Sequence, residues 1–198
     1  MTRRVRLGVL VPSSNTAVEP LTQAIISSIT LTGITITAHF SRFSVTEISQ
    51  SKAALSQFDL RHIIAAAQLL ADAKVDVIGW SGTSAGWIQQ GFNKDEDMCR
   101  AIQEAFGIPA TSSTLALNAL LQSFNFKKLG LVTPYLASMN EAIIGNYSTI
   151  GVDIAHERHL DMTDNVSIGD VTETELDDMV DAVVANGTTA ITTFCTKL

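Results

Sequence analysis

The two halves of this 198-residue chain carry the same short motifs in the same order. Residues 7–12 (LGVLVP) match 129–134 (LGLVTP), residues 32–36 match 150–154, and residues 75–84 match 189–197. A sequence repeat of this kind predicts a structural repeat, so we expect two similar halves that face each other across a cleft. Gly82 and Cys195 then take equivalent positions on opposite walls, one of which carries a thiol while the other is bare.

Short runs rich in β-branched residues alternate with longer segments of helical periodicity, which predicts parallel sheets covered by helices. We predict strands near residues 5–11, 34–40, 75–80, 128–133, 152–157 and 189–194. We predict helices near residues 17–29, 52–73, 94–106, 114–122, 138–148 and 173–186. Ligands of such sheets bind at the carboxyl ends of the strands, where the loops at residues 12–16, 81–86, 134–137 and 195–197 lie.

The expected fold class is therefore α/β, with two pseudo-symmetric lobes and an active site in the cleft between them. We place the first lobe at residues 1–123 and the second at 124–198. Residues 85–122 have no counterpart in the second half, so the second lobe is expected to be either truncated at its carboxyl end or built differently.

The composition restricts the partners of the chain. With 13 basic and 20 acidic residues the net charge is −7, which disfavours nucleic acid because phosphate binding needs a basic surface. No apolar run is long enough to cross a membrane. Two cysteines without a CxxC pattern favour a reducing compartment, so we expect a cytoplasmic protein. The four histidines lack metal-ligand spacing, so we expect no metal. A small anionic substrate and a homo-oligomer both stay open.

Cys195 is the strongest candidate for chemistry. A thiol at a strand end, beside loop N–H groups, can exchange a proton near neutral pH, although a small buried core cysteine would give the same local pattern. Cys99 lies in a helical pattern, where packing is the simpler interpretation. The small polar loop that contains Gly82, Thr83 and Ser84 offers hydroxyls and amides to a carboxylate or an oxyanion, or it is an ordinary turn.

Further candidates follow three of the predicted strands. One of Ser14 and Asn15 is expected to cap the first helix, and the other to direct its side chain at a ligand carboxylate. Tyr135 either donates its phenol to a developing oxyanion or packs at the lobe boundary. Arg42 either pairs with a carboxylate or lies in solvent.

The motifs at residues 11–16 (VPSSNT), 82–84 (GTS), 132–135 (VTPY) and 194–196 (FCT) together resemble the aspartate/glutamate racemase superfamily. Within it, the chain is most similar to the maleate cis-trans isomerase and arylmalonate decarboxylase branches, along nearly its whole length. The resemblance implies two pseudo-symmetric α/β lobes around a cofactor-free active site. Racemases and maleate isomerases of this superfamily use two cysteines, one from each lobe. Arylmalonate decarboxylase has glycine at the first position, as this chain has at Gly82.

The resemblance also implies roles for individual residues. Cys195 matches the cysteine that protonates the carbanion in the decarboxylase. Thr83, Ser84 and Tyr135 match residues that hold a carboxylate, and Asn15 matches the carboxylate-binding asparagine of the isomerase branch. The implied substrate-binding set is Ser14, Asn15, Gly82, Thr83, Ser84, Tyr135 and Thr196.

With Gly82 on one wall, a two-thiol route is closed, whereas one thiol suffices if a carbanion arises by loss of CO2. We therefore expect a cofactor-independent decarboxylase of a malonate-like dicarboxylic acid, whose enediolate is held by hydroxyls and protonated by Cys195. Trp87, Phe43 and Met162 are candidates for an apolar pocket around the leaving carboxylate. The alternatives are a maleate cis-trans isomerase or Asp/Glu-type racemase homologue, and a non-catalytic binder of small carboxylates.

Overall fold

The computed structural model describes residues 3–83, 91–184 and 187–198. The described strands are β1 (Arg3–Pro12), β2 (Ile34–Phe43), β3 (Val77–Trp80), β4 (Ala110–Ser112), β5 (Lys128–Thr133), β6 (Asp153–His159) and β7 (Ala190–Thr193). The described helices are α1 (Val18–Ser28), α2 (Lys52–Ser56), α3 (Leu60–Asp72), α4 (Asn93–Phe106), α5 (Ser113–Ser123), α6 (Ala137–Thr149) and α7 (Glu173–Val183), with a 3-10 turn at Ser167–Asp170.

The strands form two parallel sheets. The first has the order β2-β1-β3-β4 and the second the order β6-β5-β7. The first three strands of each half therefore occupy the same places, with β1 and β5 in equivalent central positions. The predicted α/β fold with two parallel sheets flanked by helices is confirmed. Strand β4 has no counterpart in the second sheet, as the unmatched residues 85–122 predicted.

Two pairs of glycines show why the repeat is visible in the sequence. A Cβ on Gly8 in β1 would lie 2.9 Å from Val75, and one on Gly130 in β5 would lie 3.2 Å from Ile191, so both central strands need glycine for close packing. Gly33 and Gly151, which precede β2 and β6, have φ of 74° and 73°, a conformation that other residues rarely adopt. The matched motifs thus mark matched backbone requirements.

The predicted helix over residues 52–73 is wrong at its centre. The chain leaves the helix after Ser56 and starts again at Leu60, because the Asp59 carboxylate accepts the Arg61 N–H at 2.9 Å and caps α3. A capping box between Thr172 and Glu175 opens α7. Asn186, expected at the end of that helix, lies outside the described residues.

One continuous cluster of buried apolar side chains joins the two sheets. It contains Leu10 and Trp80 from the first half and Leu131, Tyr147 and Phe194 from the second. The predicted boundary at residue 123 falls between α5 and β5, but the lobes share this core, and their division into two units stays a prediction.

A strap from the second half lies across the first. The Ile48 N–H donates to the Thr163 carbonyl at 3.1 Å, beside an antiparallel bridge between Glu47 and Asp164. Asn165, next along this strap, donates from Nδ2 to the Ser14 hydroxyl at 2.7 Å. The strap therefore ties the two halves together beside the strand ends. In the described ranges, no helix has the length and apolar character that a membrane crossing requires.

Candidate active site

A small cavity lies between the two sheets, at the carboxyl ends of their strands. Its volume is about 30 Å³, close to the share of one water molecule in the liquid. The predicted site residues that line it are Asn15, Gly82, Thr83, Tyr135, Cys195 and Thr196. Gly82 and Cys195 thus reach one cavity from opposite halves of the chain, as the repeat predicted. Ser84 lies outside the described residues.

Cys195 is positioned by the turn that follows β7. Its side chain is buried, and its sulfur accepts hydrogen bonds from the backbone N–H groups of Lys197 and Leu198 and from the Tyr135 hydroxyl. Burial raises the pKa of the Cys195 thiol, while these donors and the Lys197 ammonium oppose that rise by favouring the thiolate. The sulfur therefore lies in a low-dielectric environment with donors already directed at a negative charge.

Tyr135 and Thr83 bring the second half and the first half together over this sulfur. The Thr83 and Tyr135 hydroxyl oxygens are 3.0 Å apart, and the Thr83 hydroxyl also reaches the Phe194 carbonyl at 3.3 Å. Burial, followed by the nearby Cys195, raises the pKa of Tyr135 well above its ordinary value, so this phenol stays a proton donor. The Thr83 hydroxyl has one hydrogen, which goes either to the Phe194 carbonyl or to the Tyr135 oxygen. When Tyr135 donates to the Cys195 sulfur, Thr83 can turn from the carbonyl and donate to Tyr135.

Thr196 connects the cysteine turn to the glycine loop. Its hydroxyl donates to the Ser81 carbonyl at 3.3 Å. Together with the bond from Thr83 to Phe194, this contact fixes the two loops against each other across the cavity. Thr196 therefore acts on the loop geometry through its hydroxyl.

Asn15 takes the capping role that the sequence left open between it and Ser14. Its Oδ1 accepts the N–H groups of Ala17 and Val18, both at 3.0 Å, at the start of α1. Its side chain still lines the cavity, so the amide nitrogen is the group that can reach a ligand. Ser14 donates to the Val45 carbonyl at 2.5 Å and, in contrast to Asn15, is turned away from the cavity.

The wall at Gly82 is not bare, which corrects the sequence-based expectation. A Cβ on Gly82 would lie 2.2 Å from Cζ2 of Trp80. The indole, tilted by 43° against the Phe43 ring at 5.0 Å between centroids, fills the space that a side chain at position 82 would need. Glycine is therefore required here by packing.

Arg42 pairs with a carboxylate, as one of the two alternatives predicted, and that carboxylate is Glu19 of the chain itself. Its guanidinium donates to the carbonyls of Ser13 and Asn15, at 2.8 and 3.0 Å, and pairs with Glu19 at 2.6 Å. These bonds hold the loop that carries Asn15, so the residue acts on the backbone and not on a ligand.

Phe43, Met162 and Cys99 do not line the small cavity. Phe43 packs on Trp80, and Met162 is half-buried, its N–H bonded to the Pro134 carbonyl. Trp87 is outside the described residues. Cys99 is buried, and burial raises its pKa to about 12, in agreement with the predicted packing role.

Sequence reasoning missed two polar residues that line the cavity, Asn165 and Lys197. Lys197 is only 6% exposed, and its ammonium donates to the carbonyls of Ser14, at 3.0 Å, and of Asn165. A lysine two residues from the cysteine gave no local signal, because its burial depends on the strap at residues 163–165. In the parts of the chain that the structure describes, no three His, Cys, Asp or Glu side chains come together as a metal site.

A sequence model of the arylmalonate decarboxylase family matches residues 7–197. The chain belongs to that family. The maleate isomerase of Geobacillus stearothermophilus is 26% identical over 175 residues, which are 85% of this chain and 68% of the isomerase.

Solved structures with this fold come from both kinds of enzyme. A cysteine-to-serine variant of Nocardia farcinica maleate cis-trans isomerase, with a covalently bound succinylcysteine intermediate, superposes with a TM-score of 0.85 at 23% identity, over 95% of this chain and 76% of that one. A crystal structure of arylmalonate decarboxylase superposes with a TM-score of 0.66 at 16% identity, over 94% and 75% of the two chains. At these identities the structures show the fold alone, and this member of the arylmalonate decarboxylase family shares it with both.

Proposed function

We propose that this protein is a cofactor-independent enzyme that isomerises a maleate-like dicarboxylate from cis to trans, with Cys195 as the nucleophile. The sequence alone predicts isomerisation as an alternative to decarboxylation. The similarity to maleate isomerases favours isomerisation. The observation that carries the proposal is that Cys195 lines one cavity together with the Thr83 and Tyr135 hydroxyls and Asn15. Hydrogen-bond donors stabilise a thiolate, which is the nucleophilic form of cysteine.

The reaction needs one thiol and no second base. The thiolate adds to one alkene carbon, an S–C bond forms, and the π electrons move onto the adjacent carboxylate as an enediolate. Rotation about the resulting C–C single bond follows. The enediolate electrons then restore the double bond in the trans geometry as the S–C bond breaks and the thiolate is released. This route fits the packing at Gly82, since a second thiol on that wall would overlap Trp80.

The enediolate requires hydrogen-bond donors where its charge develops. The Thr83 and Tyr135 hydroxyls and the Asn15 amide nitrogen are among the side-chain donors that line the cavity beside Cys195. In this proposal the Tyr135 hydroxyl turns from the sulfur to the substrate once the S–C bond has formed. Thr83 and Tyr135 then hold the carboxylate that receives the charge, and Asn15 binds the other. The similar Nocardia farcinica enzyme, captured with a succinylcysteine, supports an addition step of this kind.

Decarboxylation of a malonate-like diacid is the second candidate, because burial raises the pKa of Cys195. A thiol that keeps its proton is the acid that decarboxylation needs: CO2 leaves, its bonding electrons form the enediolate, and the thiol proton is transferred to carbon. A larger, mainly apolar cavity of about 670 Å³ shares Phe58 and Trp80 with the small one. A space of that character would favour loss of a charged carboxylate.

Product analysis in heavy water separates these candidates. Maleate and a series of 2-substituted malonates are incubated with the protein and followed by NMR. We expect fumarate from maleate, loss of this activity in Cys195→Ala, and retention in Cys99→Ala, the matched control at the second, packed cysteine. Fumarate formation that survives in folded Cys195→Ala would remove the thiol from the mechanism.

Two other outcomes replace the main proposal. Release of CO2 with deuterium at the former carboxylate position would establish the decarboxylase. Thermal stabilisation by maleate or a malonate without turnover would mark a non-catalytic carboxylate binder. The pH dependence of the rate separates the two reactions further. The rate of isomerisation by a thiolate rises with pH as the thiol ionises, whereas the rate of decarboxylation that depends on the protonated thiol falls over the same pH range.

A further inference from the structure

Lys197 is a buried residue with a cationic side chain. Its side chain is 6% exposed, and a buried ammonium is unfavourable unless polar groups compensate for the lost water. Two backbone carbonyls do so, those of Ser14 and Asn165. An ammonium has three donors, so these two bonds leave one N–H for a further acceptor.

The two carbonyls come from opposite halves of the chain. Ser14 belongs to the loop after β1, next to Asn15, and Asn165 belongs to the strap from the second half. The Asn165 side chain also donates to the Ser14 hydroxyl at 2.7 Å. Lys197 therefore joins, through one atom, the two segments that bring Asn15 and Asn165 to the cavity.

Three groups that can carry a negative charge act on the Lys197 ammonium. Burial lowers its pKa, while the Cys195 thiolate and the carboxylates of Asp164 and Asp170 raise it. Both acidic groups lie on the strap and its 3-10 turn. Among the described residues that line the small cavity, Lys197 is the one with a cationic side chain.

Cys195 and Lys197 line the same small cavity. The backbone N–H of Lys197 donates to the Cys195 sulfur, and the ammonium acts on the same sulfur electrostatically. The other titratable group against the sulfur is Tyr135, from the loop after β5. In a cavity with little water, an opposite charge acts more strongly than at the surface.

We propose that Lys197 is a positioning residue for Cys195: its ammonium, held between the Ser14 and Asn165 carbonyls, fixes both loops and supplies the positive charge that favours the thiolate. The inference concerns the site of the proposed function, and it names the group that sets the ionisation of the nucleophile. A purely structural lysine would affect stability alone.

The test is a pH titration of thiolate absorbance near 240 nm, with Cys195→Ala as the blank. In Lys197→Met, which keeps the length without the charge, we expect the titration midpoint of Cys195 to rise by about one pH unit or more. In Lys197→Arg, which keeps the charge, the midpoint is expected to stay within about half a unit of that of the unmodified protein. An unchanged midpoint in a folded Lys197→Met variant would overturn the proposal.

A second measurement needs no substitution at Lys197. The ¹³C shift of the Lys197 ε-carbon is followed by NMR during the same titration. We expect an inflection at the midpoint of Cys195 in the unmodified protein and its disappearance in Cys195→Ala; no inflection in the unmodified protein would refute the coupling. Neither experiment uses a substrate. The inference about Lys197 can therefore fail while the proposed reaction is correct, and the proposed reaction can fail while the inference about Lys197 is correct.

Discussion

The six-membered part of the Trp80 indole occupies the space directly over Gly82. A Cβ added at position 82 would lie 2.2 Å from Cζ2 and 2.4 Å from Cε2 of that ring. The ring is itself confined, because Trp80 is buried and contacts Phe43. The identity of residue 82 is therefore coupled to that of residue 80.

Gly82→Ala is expected to lower the free energy of unfolding by about 2 kcal/mol, since an added methyl group overlaps the buried Trp80 ring, which must then shift. Gly145→Ala is the matched control, because a Cβ there meets nothing within 4 Å in the interior of α6. That substitution should stabilise the protein by about 0.5–1 kcal/mol through helix propensity. Urea denaturation measures both. Equal stability of Gly82→Ala and the unmodified protein would show that Trp80 can relocate.

The Tyr135 and Tyr147 hydroxyls are both buried but differ in their partners. The Tyr135 hydroxyl contacts Thr83 and Cys195, whereas the Tyr147 hydroxyl has no hydrogen-bond partner among the described residues. Tyr135→Phe should cost about 1–2 kcal/mol of stability and slow turnover, and Tyr147→Phe should be neutral or stabilising. Chemical denaturation with steady-state kinetics tests the pair. The opposite ranking of the two variants would contradict the contacts described here.

Asp95 should make stability depend on pH. It is 1% exposed, and burial raises its pKa from 3.8 to about 6. The folded state therefore binds a proton more tightly than the unfolded state, so its stabilising effect is complete below about pH 4 and is lost as the pH rises through 6. A shift of about two units corresponds to about 3 kcal/mol.

Asp95→Asn removes this titration. The variant should be more stable than the unmodified protein at pH 8, with the difference shrinking toward pH 4, as measured by urea denaturation across that range. Asp97→Asn, on the exposed side of the same helix, is the control and should show little pH-dependent difference. A constant difference between Asp95→Asn and the unmodified protein at all pH values would exclude the assignment.

Arg42 and Glu19 allow the loop contacts to be separated from the ion pair. Arg42→Met removes two bonds to loop carbonyls as well as the pair, and should destabilise the protein by about 1–2 kcal/mol and raise KM by loosening Asn15. Glu19→Gln removes only a half-exposed ion pair, which should contribute less than about 1 kcal/mol. Thermal denaturation and KM values compare them. Similar effects of the two substitutions would mean that the carbonyl bonds contribute little.

The fold was predictable because the constraints on the central strands are local. Gly8 and Gly130 recur in the same motif since each lets a strand approach its neighbours closely, and the β-branched runs around them predict strands in both halves. The break between α2 and α3 was missed although its cause is also local. Asp59 can cap a helix, but the apolar pattern on either side of it predicts one long helix.

The site was predictable only where residues follow strand ends. Cys195, Thr83 and Tyr135 meet because parallel strands deliver their loops to one edge. The packing of Trp80 over Gly82 and the burial of Lys197 depend on contacts between distant segments, and no spacing in the sequence encodes them. From the sequence alone, Gly82 is a loop position that lacks a side chain. In the structure, the Trp80 ring fills the space that a side chain at this position would need.

The cavity beside Cys195 holds about 30 Å³, less than a four-carbon diacid occupies. We infer that a diacid enters when part of the wall moves, and that the moving part is the strap at residues 163–165, which contributes Asn165 to that wall. Such a movement breaks the bond from the Ile48 N–H to the Thr163 carbonyl. The rate at which the Ile48 amide proton exchanges with solvent should therefore report how often the strap moves away. A diacid bound in the cavity should lower that exchange rate.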